Sequence, residues 1–333
     1  MQDADVVVIG AGVAGLTAAA IAAKHGLSTL VIEQLAPGGQ VATIENVQNF
    51  PGFPDGIAGY ELGPLLQQQA EAAGALMQLD TVSAIAADGA SYRVTCAGET
   101  IAARAVIIAA GSSLRKLGVS GESELTGRGV SHCAACDGPL FKGKPVVVAG
   151  GGDSAFDEAA TLAGFASEIL IVHRGPHPRA RRPAVEQLAA KPDVTIMAEA
   201  EIATIHGATS VTGVDVRTRD GTLHKACSAV FGYVGLQPRT GWLDGFVATD
   251  TEGRIVTDAM MQTSRPGVFA AGDIRAGAVC LLAAAAGDAA TAATAAAQYL
   301  HAGPQRSGEN KTKRSPGGTA IADGERSRVA SGG

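Results

Sequence analysis

A glycine-rich turn that directly follows a buried strand constrains this chain more than any other feature. The run 5–9, DVVVI, is largely β-branched, as expected of a strand that is buried on both faces. It leads into Gly10, Gly12 and Gly15, then into an alanine-rich helix and a second apolar run that ends at Glu33. This order of strand, GxGxxG, helix, strand and acid is the full dinucleotide-binding fingerprint.

Each of these residues has a physical role in such a unit. The first two glycines let the backbone turn and approach a pyrophosphate, and the third lets helix and strand pack closely. The helix N-terminus then faces the phosphates, and Glu33 accepts hydrogen bonds from ribose hydroxyls. We expect this unit to hold FAD; the alternative is a purely structural glycine turn.

The same unit recurs in the middle of the chain. The apolar run 145–149 leads into a second glycine turn, which contains Gly150 and Gly152 and continues as Asp-Ser-Ala. A helix and the apolar run 169–172 follow, at the same spacing as in the first unit. The repeat predicts a second nucleotide-binding unit.

The second unit ends in basic residues where the first has an acid. His173 and Arg174 occupy that position, and Arg179, Arg181 and Arg182 follow closely. An acid there favours a bare ribose, whereas a basic cluster suits a 2′-phosphate. We therefore expect this unit to hold NADPH; a solvated basic loop is the alternative.

Two later strands are expected to return to the first unit. The runs 105–111 and 267–273 are apolar and end in small residues, among them Gly111 and Gly272. Asp273 is placed to bond a ribityl or phosphate-side group at the start of an alanine-rich helix near 281–300. The sequence therefore predicts an α/β fold with two Rossmann-like domains, the NADPH domain being inserted within the FAD domain.

These segments define the predicted domain boundaries. Residues 1–115 and 243–302 form the discontinuous FAD-binding domain, and residues 116–242 form the NADPH-binding domain that carries a cysteine pair. Residues 303–333 are rich in Gly, Ser and charge and have almost no large apolar side chains. We expect this tail to be disordered, because it cannot bury enough surface to offset the entropy of ordering.

The stretch SHCAACDG contains Cys133 and Cys136, shortly before the second glycine turn. Cysteines at this spacing in a tight turn can close a disulfide, and a helix N-terminus lowers the pKa of a thiolate. Asp137 follows directly and can move a proton to or from the pair. The other cysteines are scattered, so we expect no metal site; two ordinary buried thiols are the alternative.

Taken together, the motifs resemble those of low-molecular-weight thioredoxin reductases, which are class II pyridine nucleotide-disulfide oxidoreductases. The likeness covers residues 4–300 in order and rests on GGQ at 38–40, NFPG at 49–52, GRGVSHCAACDG at 127–138, GGGDSAFDE at 150–158 and VFAAGD at 268–273. The resemblance implies a homodimer in which the NADPH domain rotates, so that nicotinamide and disulfide reach the flavin in turn.

The resemblance also implies roles for individual residues. Cys136 would be the thiol nearest the flavin, Cys133 the thiol that attacks the substrate disulfide, and Asp137 the acid or base. The FAD site would comprise Gly10, Gly12, Gly15, Glu33, Gly39, Gln40, Asn49, Gly111, Gly272 and Asp273. The NADPH site would comprise Gly150, Gly152, Ser154, Ala155, Glu158, His173, Arg174 and Arg179.

Two positions depart from the family pattern. Gly175 stands where a second arginine is common, which weakens the expected discrimination against NADH. Val279, Cys280 and Leu281 stand where the family has Tyr-Arg-Gln near the flavin. We expect Cys280 to be ordinary helix packing, with a thiol near the flavin edge as the alternative.

Composition narrows the functional class further. The net charge of −6 argues against a nucleic-acid partner. The N-terminus has no basic stretch before its first strand, and no apolar run approaches the roughly 20 residues of a membrane span. Five cysteines without regular spacing do not suit a secreted disulfide scaffold, so we expect a cytoplasmic protein.

The expected function is a flavoenzyme that passes electrons from NADPH through FAD to Cys133–Cys136 and on to thioredoxin or a related protein disulfide. One alternative is a FAD-dependent oxidase of a small-molecule dithiol with oxygen as acceptor. Another is a flavin NADPH reductase of an electron-carrier protein, in which the cysteine pair is incidental. A nucleotide-binding redox sensor without turnover is the third.

Overall fold

The computed structural model describes residues 3–303, and the predicted tail from residue 304 onwards lies outside them. The strands are β1 (Asp3–Ile9), β2 (Thr29–Glu33), β3 (Leu76–Leu79), β4 (Val82–Asp88), β5 (Ser91–Cys96), β6 (Thr100–Ile108), β7 (Ser112–Leu114), β8 (Val130–Ser131), β9 (Pro145–Ala149), β10 (Glu168–Val172), β11 (Val194–Met197), β12 (Glu201–Gly207), β13 (Val211–Thr218), β14 (Gly221–Ala226), β15 (Ala229–Gly232), β16 (Leu236–Pro238) and β17 (Val268–Ala270).

The helices alternate with the parallel strands, as expected of an α/β chain. They are α1 (Val13–Lys24), α2 (Gly59–Ala72), α3 (Glu122–Leu125), α4 (Ala134–Asp137), α5 (Asp153–Leu162), α6 (Arg182–Ala189) and α7 (Leu282–Ala302). Three short 3₁₀ turns cover Gly39–Thr43, Gly138–Phe141 and Gly241–Leu243. No helix within residues 3–303 is long and apolar enough to cross a membrane.

The first sheet has seven strands and draws on both ends of the described chain. Its order is β3-β2-β1-β6-β5-β4, and β17 also pairs with β6. β5 pairs with the first half of β6 in antiparallel fashion, whereas β17 pairs with the second half in parallel, so the two share one edge of β6. The late strand β17 therefore completes the sheet that β1 begins, as predicted.

Alanine-rich helices cover one face of this sheet. α1 packs against α7 in a core built from Leu16, Phe269 and many buried alanines. Small side chains let helix and sheet approach closely, most of all at Gly15, where a Cβ atom would lie 1.7 Å from the carbonyl oxygen of Gly10. A glycine is therefore required at position 15, as the fingerprint predicts.

The second sheet repeats this plan in the middle of the chain. Its five strands are all parallel, in the order β11-β10-β9-β15-β8, and α5 packs against it through Phe156 and Leu162. A separate antiparallel sheet, β12-β13-β14, follows β11. The α/β fold with two dinucleotide-binding units is thereby confirmed.

A two-stranded ribbon connects the two units. The chain leaves the first sheet through β7 and returns towards it through β16, and these strands pair antiparallel, with Leu114 opposite Leu236. The strands of the second sheet all lie between β7 and β16 in the chain, which agrees with a second unit inserted within the first. The residue numbers of the domain boundaries stay a prediction. The predicted helix near 281–300 is α7, which starts at Leu282 and ends at Ala302.

Candidate active site

A cavity of about 360 Å³ lies beside the turn between β1 and α1. It is lined by most of the residues predicted for FAD, namely Gly10, Gly12, Glu33, Gly39, Gln40, Gly111, Gly272 and Asp273. Gly15 lies behind the lining in the contact between turn and helix, and Asn49 is exposed and outside it. The first nucleotide unit thus gathers eight predicted residues around one cavity.

The backbone of this turn suits a bound dinucleotide. Gly10 has a φ of +101°, and a Cβ there would lie 2.6 Å from the carbonyl oxygen of Ala109. Gly12 is the N-cap of α1, directly before its first residue, and has open space where a Cβ would point. The free N–H groups of the first turn of α1 therefore face the cavity unobstructed, which is the arrangement that binds pyrophosphate. The residues present fit FAD.

Two polar side chains are held in place at the cavity wall. Glu33 accepts hydrogen bonds from the backbone N–H groups of Ala11 (2.7 Å) and Leu35 (3.0 Å), which fixes its carboxylate at the end of β2. Gln40 Nε2 donates to the carbonyl oxygen of Ser112 at 2.8 Å. These bonds orient the side chains before any ligand arrives.

Cys280 also lines this cavity, and its interpretation as helix packing is wrong. It lies before the first residue of α7, it is exposed, and its φ of 57° falls in the left-handed region that favours glycine. Although the residue is exposed overall, protein atoms around its sulfur partly exclude water, and this desolvation, with a smaller contribution from Asp273, raises the pKa of the Cys280 thiol. The position of Cys280 agrees instead with the alternative given in the sequence analysis, a thiol near the flavin edge.

A second cavity, of about 560 Å³, lies beside the turn between β9 and α5. It is lined by Gly150, Gly152, Ser154, His173, Arg174 and Arg179 of the predicted NADPH set. The buried Nε2 atom of His173 has no hydrogen-bond partner among the described residues, which marks the cavity as built for a polar ligand. Burial lowers the pKa of His173, so its ring is neutral near pH 7.

The sequence analysis missed three basic residues of this second cavity. Arg115, Lys116 and His177 also line it. Arg115 and Lys116 follow the ribbon strand β7, so only the fold brings them beside the second nucleotide unit. His177 lies in the expected basic loop, where its place between Arg174 and Arg179 was the available signal.

Not every arginine of the basic loop serves this cavity. Arg181 pairs with Asp157 at 2.7 Å, and Arg182 pairs with Glu186 at 2.6 Å. Neither arginine lines the cavity. The charge available for a phosphate therefore comes from Arg174 and Arg179, together with the side chains that the sequence analysis missed.

Cys133 and Cys136 form a disulfide at the start of α4. Cys133 is the N-cap of this short helix, and its Sγ atom accepts the backbone N–H of Cys136 at 3.1 Å. Cys133 is half-buried and Cys136 is exposed. After reduction of the disulfide, the same hydrogen bond would stabilise a thiolate on Cys133.

A hydroxyl connects Asp137 with the cysteine turn. Ser131 Oγ donates to Asp137 Oδ2 at 2.6 Å and accepts the backbone N–H of Cys133 at 3.1 Å. This chain of hydrogen bonds can hold a proton close to the dithiol. Ser131 was missed in the sequence, because a serine at the end of a two-residue strand carries no motif.

Two residues predicted for the NADPH site lie outside the cavity lining. Ala155 is buried against the glycine turn, and Glu158 lies on the side of α5 that faces α4. Glu158 Oε2 accepts the backbone N–H of Ala134 at 2.6 Å and the hydroxyl of Tyr233 at 2.9 Å. Glu158 thus contacts the cysteine turn.

The two cavities approach each other across the ribbon. Gly111 and Ser112 line the first cavity, and Leu114 and Arg115 line the second. Neither cysteine of the disulfide lines either cavity. In this arrangement the nucleotide cavities are adjacent to each other, whereas the disulfide lies outside the lining of both.

Comparisons with known proteins match the chain along almost its whole length. The sequence profile of the family described as pyridine nucleotide-disulphide oxidoreductase matches residues 4–298. The thioredoxin reductase of Treponema pallidum is 41% identical over 301 residues, which cover 90% of this chain and 97% of that protein.

Solved structures give the same result. The thioredoxin reductase of Lactococcus lactis in its FR conformation matches with a TM-score of 0.86 at 33% identity, covering 90% of this chain and 99% of the other. The thioredoxin reductase of Streptococcus pyogenes is more similar in sequence, at 37% identity and the same coverage, yet its TM-score is 0.62. Similarity in sequence and similarity in overall arrangement therefore vary separately among these proteins.

Proposed function

The chain belongs to the pyridine nucleotide-disulphide oxidoreductase family, and within it to the thioredoxin reductases, and on this premise we propose that it passes electrons from NADPH through FAD to Cys133–Cys136 and then to the disulfide of thioredoxin. The observation that carries the proposal is the Cys133–Cys136 disulfide, which lies in the unit that also contains the larger cavity. The enzyme is an NADPH-dependent FAD disulfide oxidoreductase.

The chain's residues would bind and orient both cofactors. When bound, NADPH supplies a hydride and FAD relays its electron pair to the disulfide. Gly10 and Gly12 would hold the FAD pyrophosphate against the N-terminus of α1, and Glu33 would accept from a ribose hydroxyl. Arg174 and Arg179 would pair with the 2′-phosphate of NADPH.

The cysteine pair would carry out the exchange with the substrate. Two electrons and two protons convert the Cys133–Cys136 disulfide into a dithiol. The Cys133 thiolate attacks one sulfur of the thioredoxin disulfide, which forms a mixed disulfide and releases the other sulfur as a thiol. Cys136 then attacks Sγ of Cys133, which restores the enzyme's disulfide and releases the second thiol. Asp137 and Ser131 would hold and return the proton.

The arrangement of the two units would correspond to the step in which NADPH meets FAD. Two observations support this: the two cavities are adjacent, and the disulfide lines neither of them. Reduction of the disulfide would then require the second unit to rotate. The ribbon of β7 and β16 would be the place of that rotation, because the chain passes between the units there.

We also propose a homodimer in the cytoplasm. Large apolar side chains on and near α2 and β3 are exposed, among them Tyr60 (64%), Leu76 (59%) and Leu79 (71%), and they are suited to burial against a second copy. Sedimentation analysis of the FAD-loaded protein would test this assembly. A monomeric mass at micromolar concentration would contradict it.

The test of the function is stopped-flow absorbance of the FAD-loaded protein mixed anaerobically with NADPH. Wild type would take up two reducing equivalents more than Cys136→Ser, and added thioredoxin would drain them. Loss of turnover in Cys136→Ser is required, because an enzyme that reduced an electron-carrier protein would keep it. If a small dithiol reduced the flavin and NADPH hardly did, and if that dithiol drove oxygen uptake in a separate aerobic assay, the protein would be an oxidase instead.

A further inference from the structure

The antiparallel sheet β12-β13-β14 carries a group of metal-ligating side chains that neither cavity uses. His206 lies on β12, Asp215 on β13 and His224 on β14, nine residues apart along the chain. Asp215 is the direct cross-strand neighbour of His224, whereas His206 pairs with Gly213, two residues before Asp215. Because side chains alternate between the two faces of a strand, the three side chains share one face.

The ligand atoms of this His-Asp-His cluster already converge. His206 Nε2 lies 2.8 Å from Asp215 Oδ2, and His224 Nδ1 lies 3.0 Å from Asp215 Oδ1. One ligand atom from each residue can be chosen such that all three lie within 4.8 Å of one another. A tetrahedral zinc ion with ligands at about 2.0–2.2 Å holds them roughly 3.4 Å apart, so small side-chain rotations suffice.

The absence of a side chain at Gly213 leaves space for the imidazole rings of His206 and His224. A Cβ atom at this position would lie 2.9 Å from Cε1 and 3.0 Å from Nε2 of His224. The imidazole ring of His224 therefore leans over a position without a side chain, towards His206, and the two ring centroids are 5.4 Å apart.

The cluster is open to solvent on a rigid support. On the opposite face of the sheet, Val214, Val216 and Ile205 are buried in the hydrophobic core, and this packing fixes the register of the three strands. His224 and His206 are partly exposed, and an ion could reach them directly from solvent.

We propose that His206, Asp215 and His224 form a surface site for a divalent transition metal of the Zn²⁺ type, one ligand coming from each strand. Two imidazoles and one carboxylate are the donor set that suits Zn²⁺, with a water in the fourth position. Ca²⁺ and Mg²⁺ prefer oxygen ligands and are poorly matched. The bound ion cross-links three adjacent strands, and because the unfolded chain lacks the site, binding stabilises the folded sheet.

This inference does not depend on the proposed redox function. The sequence analysis expected no metal site, because it considered the cysteines and found them scattered. Ligands that are nine residues apart match no zinc motif and gave no signal of their own. Only the register of the two hairpins brings them together. Within residues 3–303 this is the one cluster of three such residues close enough to share an ion.

The test is calorimetric titration of Zn²⁺ into the EDTA-treated, FAD-loaded enzyme in its disulfide form. The protein would carry Cys280→Ser, because Cys280 is an exposed free thiol that could bind the metal itself. His206→Ala, Asp215→Asn and His224→Ala would each weaken Zn²⁺ binding about tenfold or more. The matched control is His25→Ala, which removes an exposed histidine at the end of α1 and would leave the affinity unchanged.

A thermal scan separates metal binding from a merely structural ion pair. Zn²⁺ would raise the unfolding temperature of the parent and of His25→Ala, and would raise it less in each cluster variant. Equal Zn²⁺ affinity in the parent and all three cluster variants would overturn the proposal. So would the absence of binding to the parent at micromolar Zn²⁺.

Discussion

Tyr233 donates its hydroxyl to Glu158 Oε2 at 2.9 Å, and the same oxygen accepts the N–H of Ala134, the residue after Cys133. Tyr233 lines the larger cavity, so one carboxylate connects the wall of that cavity with the turn that carries the disulfide. Burial and the nearby Glu158 carboxylate raise the pKa of Tyr233, so its hydroxyl stays protonated and keeps donating.

Removal of this carboxylate should destabilise the protein. Glu158→Ala leaves the buried N–H of Ala134 and the hydroxyl of Tyr233 without an acceptor. The expected loss in the free energy of unfolding is about 1–3 kcal/mol, measured by urea denaturation of the disulfide form. Glu186→Ala is the control, because its ion pair with Arg182 is exposed and worth about 0.5 kcal/mol or less. Equal effects of the two substitutions would contradict a bridging role for Glu158.

The proton network around Asp137 should govern exchange with the substrate. Asp137→Asn keeps the shape of the side chain but removes its basicity, so turnover with thioredoxin should fall about 100-fold. Ser131→Ala should give a smaller loss, because it removes only the connecting hydroxyl. Steady-state assays over a range of pH test both. If Asp137→Asn kept the rate and pH profile of wild type, the proton would have to travel by another route.

Selectivity for NADPH should depend on only some of the arginines in the basic loop. Arg174→Ala or Arg179→Ala should raise the KM for NADPH about tenfold or more, since each removes a charge-assisted bond to the 2′-phosphate. The KM for NADH, which lacks that phosphate, should hardly change. Arg182→Ala is the matched control, because Arg182 pairs with Glu186 outside the cavity. A similar rise in all three variants would point to general charge instead.

The three cysteines outside the disulfide should differ sharply in reactivity. Burial raises the pKa of Cys96 to about 11 and that of Cys227 to about 12, whereas Cys280 is exposed. Iodoacetamide should therefore modify one site in the native disulfide form, as mass spectrometry would show.

Because the pKa of Cys280 is itself raised, its alkylation should accelerate as the pH rises above 8. Bound FAD should slow the reaction, since Cys280 lines the first cavity; identical rates with and without FAD would place the thiol away from the flavin.

A trapping experiment should identify the attacking thiol. Cys133 accepts the N–H of Cys136, which stabilises a thiolate, while Cys136 is the more exposed of the two. Cys136→Ser should therefore accumulate a mixed disulfide with thioredoxin that Cys133→Ser does not form. Non-reducing electrophoresis would show the adduct. Accumulation in Cys133→Ser instead would reverse the two roles.

The sequence was most informative where the signal is local. Both glycine turns are short segments in which the residue types themselves dictate the backbone, as the clash that a Cβ at position 15 would make illustrates. The Cys133–Cys136 disulfide was equally local, since its ends are only three positions apart in the sequence. The role expected of Asp137 came from its position directly after Cys136, and its hydrogen bond to Ser131 beside the turn is consistent with that role.

Contacts between distant segments could not be predicted in this way. Glu158 was assigned to a nucleotide site because its motif is contiguous, yet its carboxylate reaches the cysteine turn from the next helix. Arg115 lines the second cavity only because the ribbon brings it there. The His206–Asp215–His224 cluster depends on strand register, which no single segment encodes.

The pairing of α1 with α7 dictates the order in which this protein can mature. α1 is among the first segments to leave the ribosome, but the helix that covers Leu16 and its alanine neighbours is the last described segment to be made. The first core therefore stays open for almost the whole of synthesis, while the second unit, whose segments are contiguous, can close earlier. A nascent chain that stops before α7 exposes that apolar helix face, which makes premature termination a route to aggregation rather than to a smaller working enzyme.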